Sequence, residues 1–491
     1  MKKLIIIALI AVGFTSCNGY LDINQDPNSP TEANLTPSLV FPGIEMNVAN
    51  NYGNFLRTVG GYYAQHYSQN FGTSNYLDYS QWIMSPVRSN RTYSQFSTLC
   101  LNNLETVRNM ATKSEDWGTY LAATTLRVFA YQVLVDAYGE MPYTEALNVN
   151  NLSPHYDEGQ TIYDGILKEL DDALAKVAPS NTVCKNFLFG TSTVQEWIQF
   201  ANALKLRILM RMIDAKDVKS QLSALIAGGN FPTKDVAFTN CWVNSSGKAN
   251  PYYQEEFASY FGSTQVNVVA NIALEQTMMS SNDSRLQAMF APNAKGNYTG
   301  SVSGTNFSTS KQYQADYWCR PIINYDTPVY LITVAETEFF LAEYYARYGG
   351  GDAAAHYQAA VEASFNTLGA SGADAVLAAY PWDNAKYKQV IGIQKWVALA
   401  GVNNFEAWCE MRRLKYPAFG SVSGANLYNV GTDAYSPNLY VPGTLYTPIM
   451  CNSDLGANTV LQRFPYPENS SSRNQNAPAT KKGNVPVFWV K

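Results

Sequence analysis

The chain has 491 residues and carries 39 acidic against 34 basic side chains, so it lacks the cationic excess that nucleic acid or anionic lipid demands. Charged residues make up only 15% and aromatics 13%, with 34 Tyr and 9 Trp. That composition suits contacts with neutral polar ligands and, equally, Tyr-rich helical cores. The length is ample for a large core and by itself allows two or three domains.

The chain opens on Lys2-Lys3, nine apolar residues from Leu4 to Val12, and then Gly13-Phe14-Thr15-Ser16-Cys17. The lysines form the positive start of a secretory signal. Nine apolar residues fall well short of the roughly twenty that span a bilayer, so residues 1–16 read as a cleaved signal peptide. A small residue followed by Cys resembles the bacterial lipobox, in the relaxed form of the Bacteroidetes because Phe14 stands where Leu is usual. Cys17 is then the lipidated first residue of the mature chain; an ordinary signal with a chance cysteine is the alternative. Cleavage removes two lysines and leaves 32 basic against 39 acidic residues, a balance of -7. No later run approaches eighteen apolar residues, so nothing else reads as a membrane-spanning helix.

Helical spacing begins at Thr92-Tyr93-Ser94-Gln95, followed by Phe96, Leu99, Asn103, Val107 and Met110, with Cys100 on the apolar side. Similar starts at Thr161 to Asp164, Thr193 to Glu196 and Thr333 to Glu336 predict helix N-termini, because the hydroxyl caps one orphan amide and the third residue reaches back to another. Trp117 to Tyr138 places Leu121, Thr124, Val128, Tyr131, Val135 and Tyr138 on one stripe, widened by Ala123, Ala130, Leu134 and Ala137, which predicts a packed helix with little polar surface. Gly139 stops it by taking the left-handed position, and Pro142 prevents continuation. Thr333 to Tyr348 and Asp352 to Leu368 form two helices joined by three glycines, with Asp352 as N-cap and Gly369 as stop. Their combined length matches a tetratricopeptide unit without its signature. Helical stretches follow from Lys386 to Ala400 and from Phe405 to Lys415.

Residues 230–328 have a different texture, rich in Asn, Ser, Gly, Thr and aromatics, and the tail from Phe419 to Lys491 is similar. Long irregular stretches in a folded body are commonly functional, and the aromatics argue against disorder. The tail is expected to wrap the helical body, and no linker clearly divides the chain.

Six cysteines remain after Cys17, widely spaced, without CxxC or a neighbouring His, so neither a metal site nor redox chemistry is indicated. Cys241-Trp242 and Trp318-Cys319 form a mirrored pair for which a disulfide stays open. His66, His155 and His356 are too scattered for HExxH, and no G-x-S-x-G elbow or Walker loop is present. A glycosidase needs only two carboxylates, a part for which Asp136, Glu140 and Glu145 are available; helix-end capping and polar contacts explain them more simply. The same holds for Glu336, accounted for by its capping box.

Several segments together resemble the SusD/RagB-type nutrient-binding lipoproteins. The match starts at Tyr20-Leu21-Asp22-Ile23-Asn24 with Asp26-Pro27-Asn28 and is strongest from Leu134 to Leu147, similar to the family's LVDxYGDxPYTEAL. It continues through Trp197 to Met212, Thr333 to Ala342, Gln394 to Leu399, Glu406-Ala407-Trp408 with Arg412-Arg413, and Arg463-Phe464-Pro465-Tyr466-Pro467. Each match is weak alone; the ordered set is specific. The resemblance implies a mainly α fold of tetratricopeptide-like helix pairs, one domain over residues 17–491 with the loop-rich insertion at about 230–328. It also implies a cell-surface, lipid-anchored outer-membrane protein that captures oligosaccharide or peptide for a SusC-like TonB-dependent transporter, with no catalysis and no cofactor. A carbohydrate-active hydrolase and a protein-binding helical scaffold are the competing readings.

Ligand-contacting aromatics in that family come from a polar loop before the Thr92 helix, the stretch before the Thr333 helix and the intervening insertion. The corresponding residues here are Asn75, Tyr76, Asp78, Tyr79 and Trp82, then Trp242, Tyr252 and Tyr253, then Tyr317, Trp318 and Arg320. Flat indole and phenol faces suit the C-H face of a pyranose, and Asn75, Asp78 and Arg320 suit hydroxyls or a peptide backbone. Trp82 and Trp318 are expected to be the leading platforms.

Overall fold

The computed structural model describes residues 35–491 except 149, 259–265, 309–312, 314 and 315. The signal segment, Cys17 and the Tyr20 to Asn28 motif lie outside the described residues. The architecture is mainly helical. Helix α1 (Pro37–Asn50) runs through a π-helical stretch, Asn51–Leu56, into α2 (Arg57–Tyr63). Then come α3 (Asn102–Lys113), α4 (Trp117–Tyr138), α5 (Gly159–Leu174) and α6 (Val194–Met212). After the insertion follow α7 (Val334–Tyr348), α8 (Ala353–Leu368), α9 (Tyr387–Leu399) and α10 (Asn404–Leu414). Sequential helices pack as pairs, α3 on α4, α5 on α4 and α6, α7 on α8, and α9 on α10.

The caps show which sequence signals decide a helix start. At Thr333 the hydroxyl accepts from the Glu336 amide at 3.1 Å, and at Asp352 the carboxylate accepts from the Ala355 amide at 3.0 Å. Thr193 holds the N-cap position of α6, but its side chain caps nothing. The other two expected starts are corrected. The helix around Thr92 begins at Pro86, where proline's fixed φ suits the first turn and Ser85 accepts from the Arg88 amide at 3.3 Å. Thr92 is buried inside that helix, and α5 begins at Gly159, ahead of Thr161. Gly139 ends α4 as expected with φ of 88°, and a Cβ there would lie 2.6 Å from Arg463 Nη2, so glycine answers both the backbone and the close approach.

The insertion is less irregular than its composition indicates. It holds short helices, Pro251–Glu256, Ile272–Ser280 and Arg285–Met289, and strands too short for their alternation to stand out. Strand β1 (Tyr67–Gln69) pairs antiparallel with β3 (Val268–Ala270), and β2 (Val236–Phe238) with β4 (Val329–Ile332). Two-stranded pairs of this kind pin the insertion to the helices at both ends. The tail does wrap the body: Trp408 Nε1 donates to Leu461 O at 2.8 Å and the Phe464 amide to Ala137 O at 2.6 Å. Cys241 and Cys319 are free thiols, Cys319 accepting from the Thr299 amide at 3.0 Å, so the disulfide is not formed.

At the centre, α4, α6, α7, α9 and α10 enclose a network of charge. Arg207 and Arg211 on α6, Lys395 on α9, and Arg412 and Arg413 on α10 meet Asp136, Glu336, Glu343, Glu406 and Glu410, all buried. Arg207 forks onto Glu336 at 2.6 and 2.8 Å, Arg413 forks onto Glu343 at 2.8 and 2.6 Å, and Lys395 reaches Glu410 at 2.8 Å. Arg211 bridges Glu406 and Glu410, while Arg412 donates to the backbone of Asp136 and Gln462. Burial alone would raise Glu343 and Glu410, yet Arg413 holds both below the usual carboxylate range. The Glu336 carboxylate thus serves Arg207 rather than a capping box. Asp136 lies in this network, Glu140 pairs with Arg463 and Lys481, and Glu145 pairs with His155, so each carboxylate offered for catalysis has a protein cation or imidazole partner.

Candidate functional site

The Leu77–Ser80 turn, the Pro86–Ser94 helix and the Pro251–Glu256 helix enclose a cavity of about 240 Å³. Tyr76, on the loop that follows Tyr67–Gln69, is on its wall, and Asn250 caps the third helix by accepting from the Tyr252 and Tyr253 amides at 2.9 and 3.0 Å. Tyr76 and Tyr79 line the cavity with rings stacked 5.7 Å apart at 14°. Arg88 lies 4.9 Å over the Tyr79 ring and donates to its hydroxyl at 3.0 Å, to Asn75 O at 3.2 Å and to Asp78 at 3.0 Å. Arg91 pairs with exposed Glu255 at 3.0 Å across the cavity. The Tyr76 hydroxyl donates to Glu256, whose carboxyl burial pushes up to about 7.

Of the expected residues, this cavity brings together Tyr76 and Tyr79 on its wall, with Asn75 and Asp78 holding Arg88. Trp242 lines a second cavity of about 370 Å³ on the other flank of the Pro251–Glu256 helix, its Nε1 donating to Phe238 O at 3.1 Å. Tyr253 is half-buried and is on the wall of neither cavity. Tyr317, Trp318 and Arg320 gather in a separate aromatic nest, with Phe71 5.2 Å and Tyr435 5.3 Å from the Trp318 ring and Arg320 paired to Asp316 at 2.5 Å.

The leading platforms need correction. Trp82 is 0%, Trp318 1% and Tyr79 2% exposed, and Tyr252 is also enclosed, so none presents an open face to solvent; Tyr79, held between Tyr76 and Arg88, backs the cavity wall, and Tyr76 is its accessible ring. Trp82 turns inward because it sits at φ of 59° just after the Leu77–Ser80 turn and donates from Nε1 to Tyr62 O at 3.3 Å. These rings hold the loops in place, and truncating one would leave a cavity costing about 3–5 kcal/mol. Phe55, Arg88, Arg91 and Glu255 were missed. The Arg88-x-x-Arg91 spacing, one helical turn beyond an aromatic loop, was the available signal.

Asp136, Glu406 and Cys409 place one ligand atom each within 4.8 Å of one another, but Arg211 already lies against both carboxylates and Arg412 donates to Cys409 Sγ at 3.1 Å. Protein cations occupy that position. No helix among the described residues is long and apolar enough to cross a membrane.

Comparison with solved structures shows the same fold across the chain. A SusD homologue from Bacteroides uniformis is 21% identical with a TM-score of 0.72, covering 91% of this chain and 99% of its own. A chitin-binding protein is 20% identical with a TM-score of 0.74, covering 93% and 100%. A chitin-binding SusD homologue from Flavobacterium johnsoniae is 19% identical with a TM-score of 0.70, covering 91% and 98%. No curated relative matches in sequence. The model of the SusD-like family described as "Starch-binding associating with outer membrane" matches residues 27–432, and the chain belongs to that family.

Proposed function

We propose that this protein binds oligosaccharide at the cell surface and passes it to a TonB-dependent outer-membrane transporter, tethered through a lipid on Cys17 and performing no catalysis itself. The observation that carries the reading is the half-buried Tyr76 ring, backed by Tyr79 and set beside two guanidinium groups in one open cavity. Aromatic faces take the apolar side of a sugar ring, and the arginines and Glu255 supply in-plane hydrogen bonds to hydroxyls. Family membership supports the glycan class, and the chitin-binding relatives favour a neutral polysaccharide fragment.

One ring contact of about 50 Å² is worth roughly 1.3 kcal/mol, about tenfold in affinity. Tyr76→Ala is therefore expected to weaken binding of chitin- or starch-derived oligosaccharides about tenfold in calorimetry, with the melting transition retained. Unchanged affinity in the folded variant would remove this cavity from the ligand site.

Anchoring has its own check. One acyl chain binds a membrane only marginally and reversibly, whereas two or more anchor a protein stably. Cys17→Ala is expected to move the protein from the membrane fraction to the soluble fraction and to abolish labelling by a fatty-acid analogue. Persistent labelling of that variant contradicts the assignment.

A further inference from the structure

Arg57 differs from the other buried arginines. Arg207, Arg211, Arg285, Arg413 and Arg463 each meet a carboxylate, and Arg412 meets backbone carbonyls. Arg57 is 6% exposed, yet its Nε has no acceptor, and among the described residues no carboxylate lies within ion-pair distance of it. Its neighbour of opposite electrostatic sense is the face of Tyr252, 5.1 Å away. A buried guanidinium left this way costs several kcal/mol unless something supplies the missing charge.

That side chain lines a cavity of about 210 Å³, which shares no wall residue with the Tyr76 cavity. Tyr67 lines it too, and its hydroxyl has no hydrogen-bond partner among the described residues. The two polar groups converge: a Cβ built on Gly401 would lie 3.7 Å from Tyr67 Oη and 3.8 Å from Arg57 Nη2. Gly401, at φ of 67°, leaves this corner open. Met289, Phe290, Ile323, Leu368 and Val402 supply the apolar part of the wall, Asn324, Thr327, Tyr330 and Thr367 the polar part, and no acidic side chain lines it.

We propose that this cavity is a second ligand site, separate from the glycan cavity, which takes a small monocarboxylate carried on a compact apolar body. A carboxylate matches the single guanidinium in charge and in fork geometry and accepts from the Tyr67 hydroxyl. A phosphate dianion would leave a buried charge uncompensated, and a neutral ligand would leave Arg57 as it stands. The apolar part of the wall, Met289, Phe290, Ile323, Leu368 and Val402, then covers the rest of the ligand.

Benzoate is the probe, with benzamide as its neutral counterpart, titrated into the full-length protein by calorimetry or ligand-observed NMR. Benzoate is expected to bind at least about tenfold more tightly than benzamide, to lose at least about tenfold in Arg57→Met, and to lose severalfold in Tyr67→Phe. Oligosaccharide affinity at the Tyr76 cavity should stay unchanged in Tyr67→Phe. Equal binding of benzoate and benzamide, absence of benzoate binding at tens of millimolar, or displacement of benzoate by equimolar inorganic phosphate overturns the proposal. Should Arg57→Met not fold, Tyr67→Phe decides: full benzoate affinity in that variant also overturns it.

Discussion

Arg211→Ala is expected to destabilise the protein by about 3–5 kcal/mol, the loss that follows when one partner of a buried ionic cluster is removed. Arg211 is the member that joins the most carboxylates, bridging Glu406 and Glu410 and lying 3.5 Å from Asp136, with the Trp489 ring 5.1 Å away. Without it Lys395 and Arg413 still neutralise Glu410, but Asp136 and Glu406 keep only the more distant help of Arg207 and Arg412. Arg211→Lys should recover only part of the loss, because one ammonium cannot span two carboxylates as a guanidinium does. Denaturant titration gives the measurement, and a midpoint within error of the parent would mean that the cluster contributes little to stability.

The same cluster explains why the family resemblance was legible in sequence. Asp136, Arg207, Arg211, Glu336, Lys395, Glu406, Arg412 and Arg413 all fall in or beside the motifs that carried it. A buried charge tolerates little substitution because each partner fixes the others, so residues far apart in the chain stay tied to one geometry. The helix pairs were legible for a simpler reason: apolar stripes and glycine stops are local. Thr92 and Thr161 cap no helix because the helices start ahead of the apolar periodicity, at Pro86 after Ser85 and at Gly159 after Glu158.

The site was only partly legible. Sequence locates an aromatic loop but does not say which rings turn inward, since that depends on partners distant in the chain. Tyr76 and Trp82 sit six residues apart, yet one lines a cavity and the other is sealed against Tyr62 and Phe419. Trp318 is likewise enclosed by Phe71, Tyr313 and Tyr435, contacts assembled from across the chain. Glu255 is 164 residues from Arg91, and nothing local links them.

Stability is expected to peak near pH 4 to 5 and to fall toward pH 8, an acid-side optimum unusual for a protein of this size. Burial pushes Glu45 up to about 8 and Glu256 and Glu275 up to about 7, against an ordinary value of 4.5. A carboxyl raised in the folded state binds a proton there that the unfolded chain has released, so stability declines between the unfolded and folded values. His66 opposes this, since burial lowers it to about 4 and folding is favoured as pH rises to 6.5. Three carboxyls outweigh one imidazole over that range. On the acid side Glu140 and Asp214, despite burial, are held at about 2 by their lysine and arginine partners, so their contribution is lost as pH falls below 4.5 toward 2. Glu45 dominates the alkaline limb: it is fully buried on α1, has only the Phe187 and Leu188 amides as partners at 2.6 and 3.2 Å, and lacks a cation. Its part is on the order of 4 kcal/mol between pH 4.5 and 8. Glu45→Gln is expected to flatten that limb by most of this amount while leaving the acid limb in place. Denaturation midpoints measured from pH 3 to 9 on both proteins would show it, and parallel alkaline limbs would mean that Glu45 is ionised in the native state.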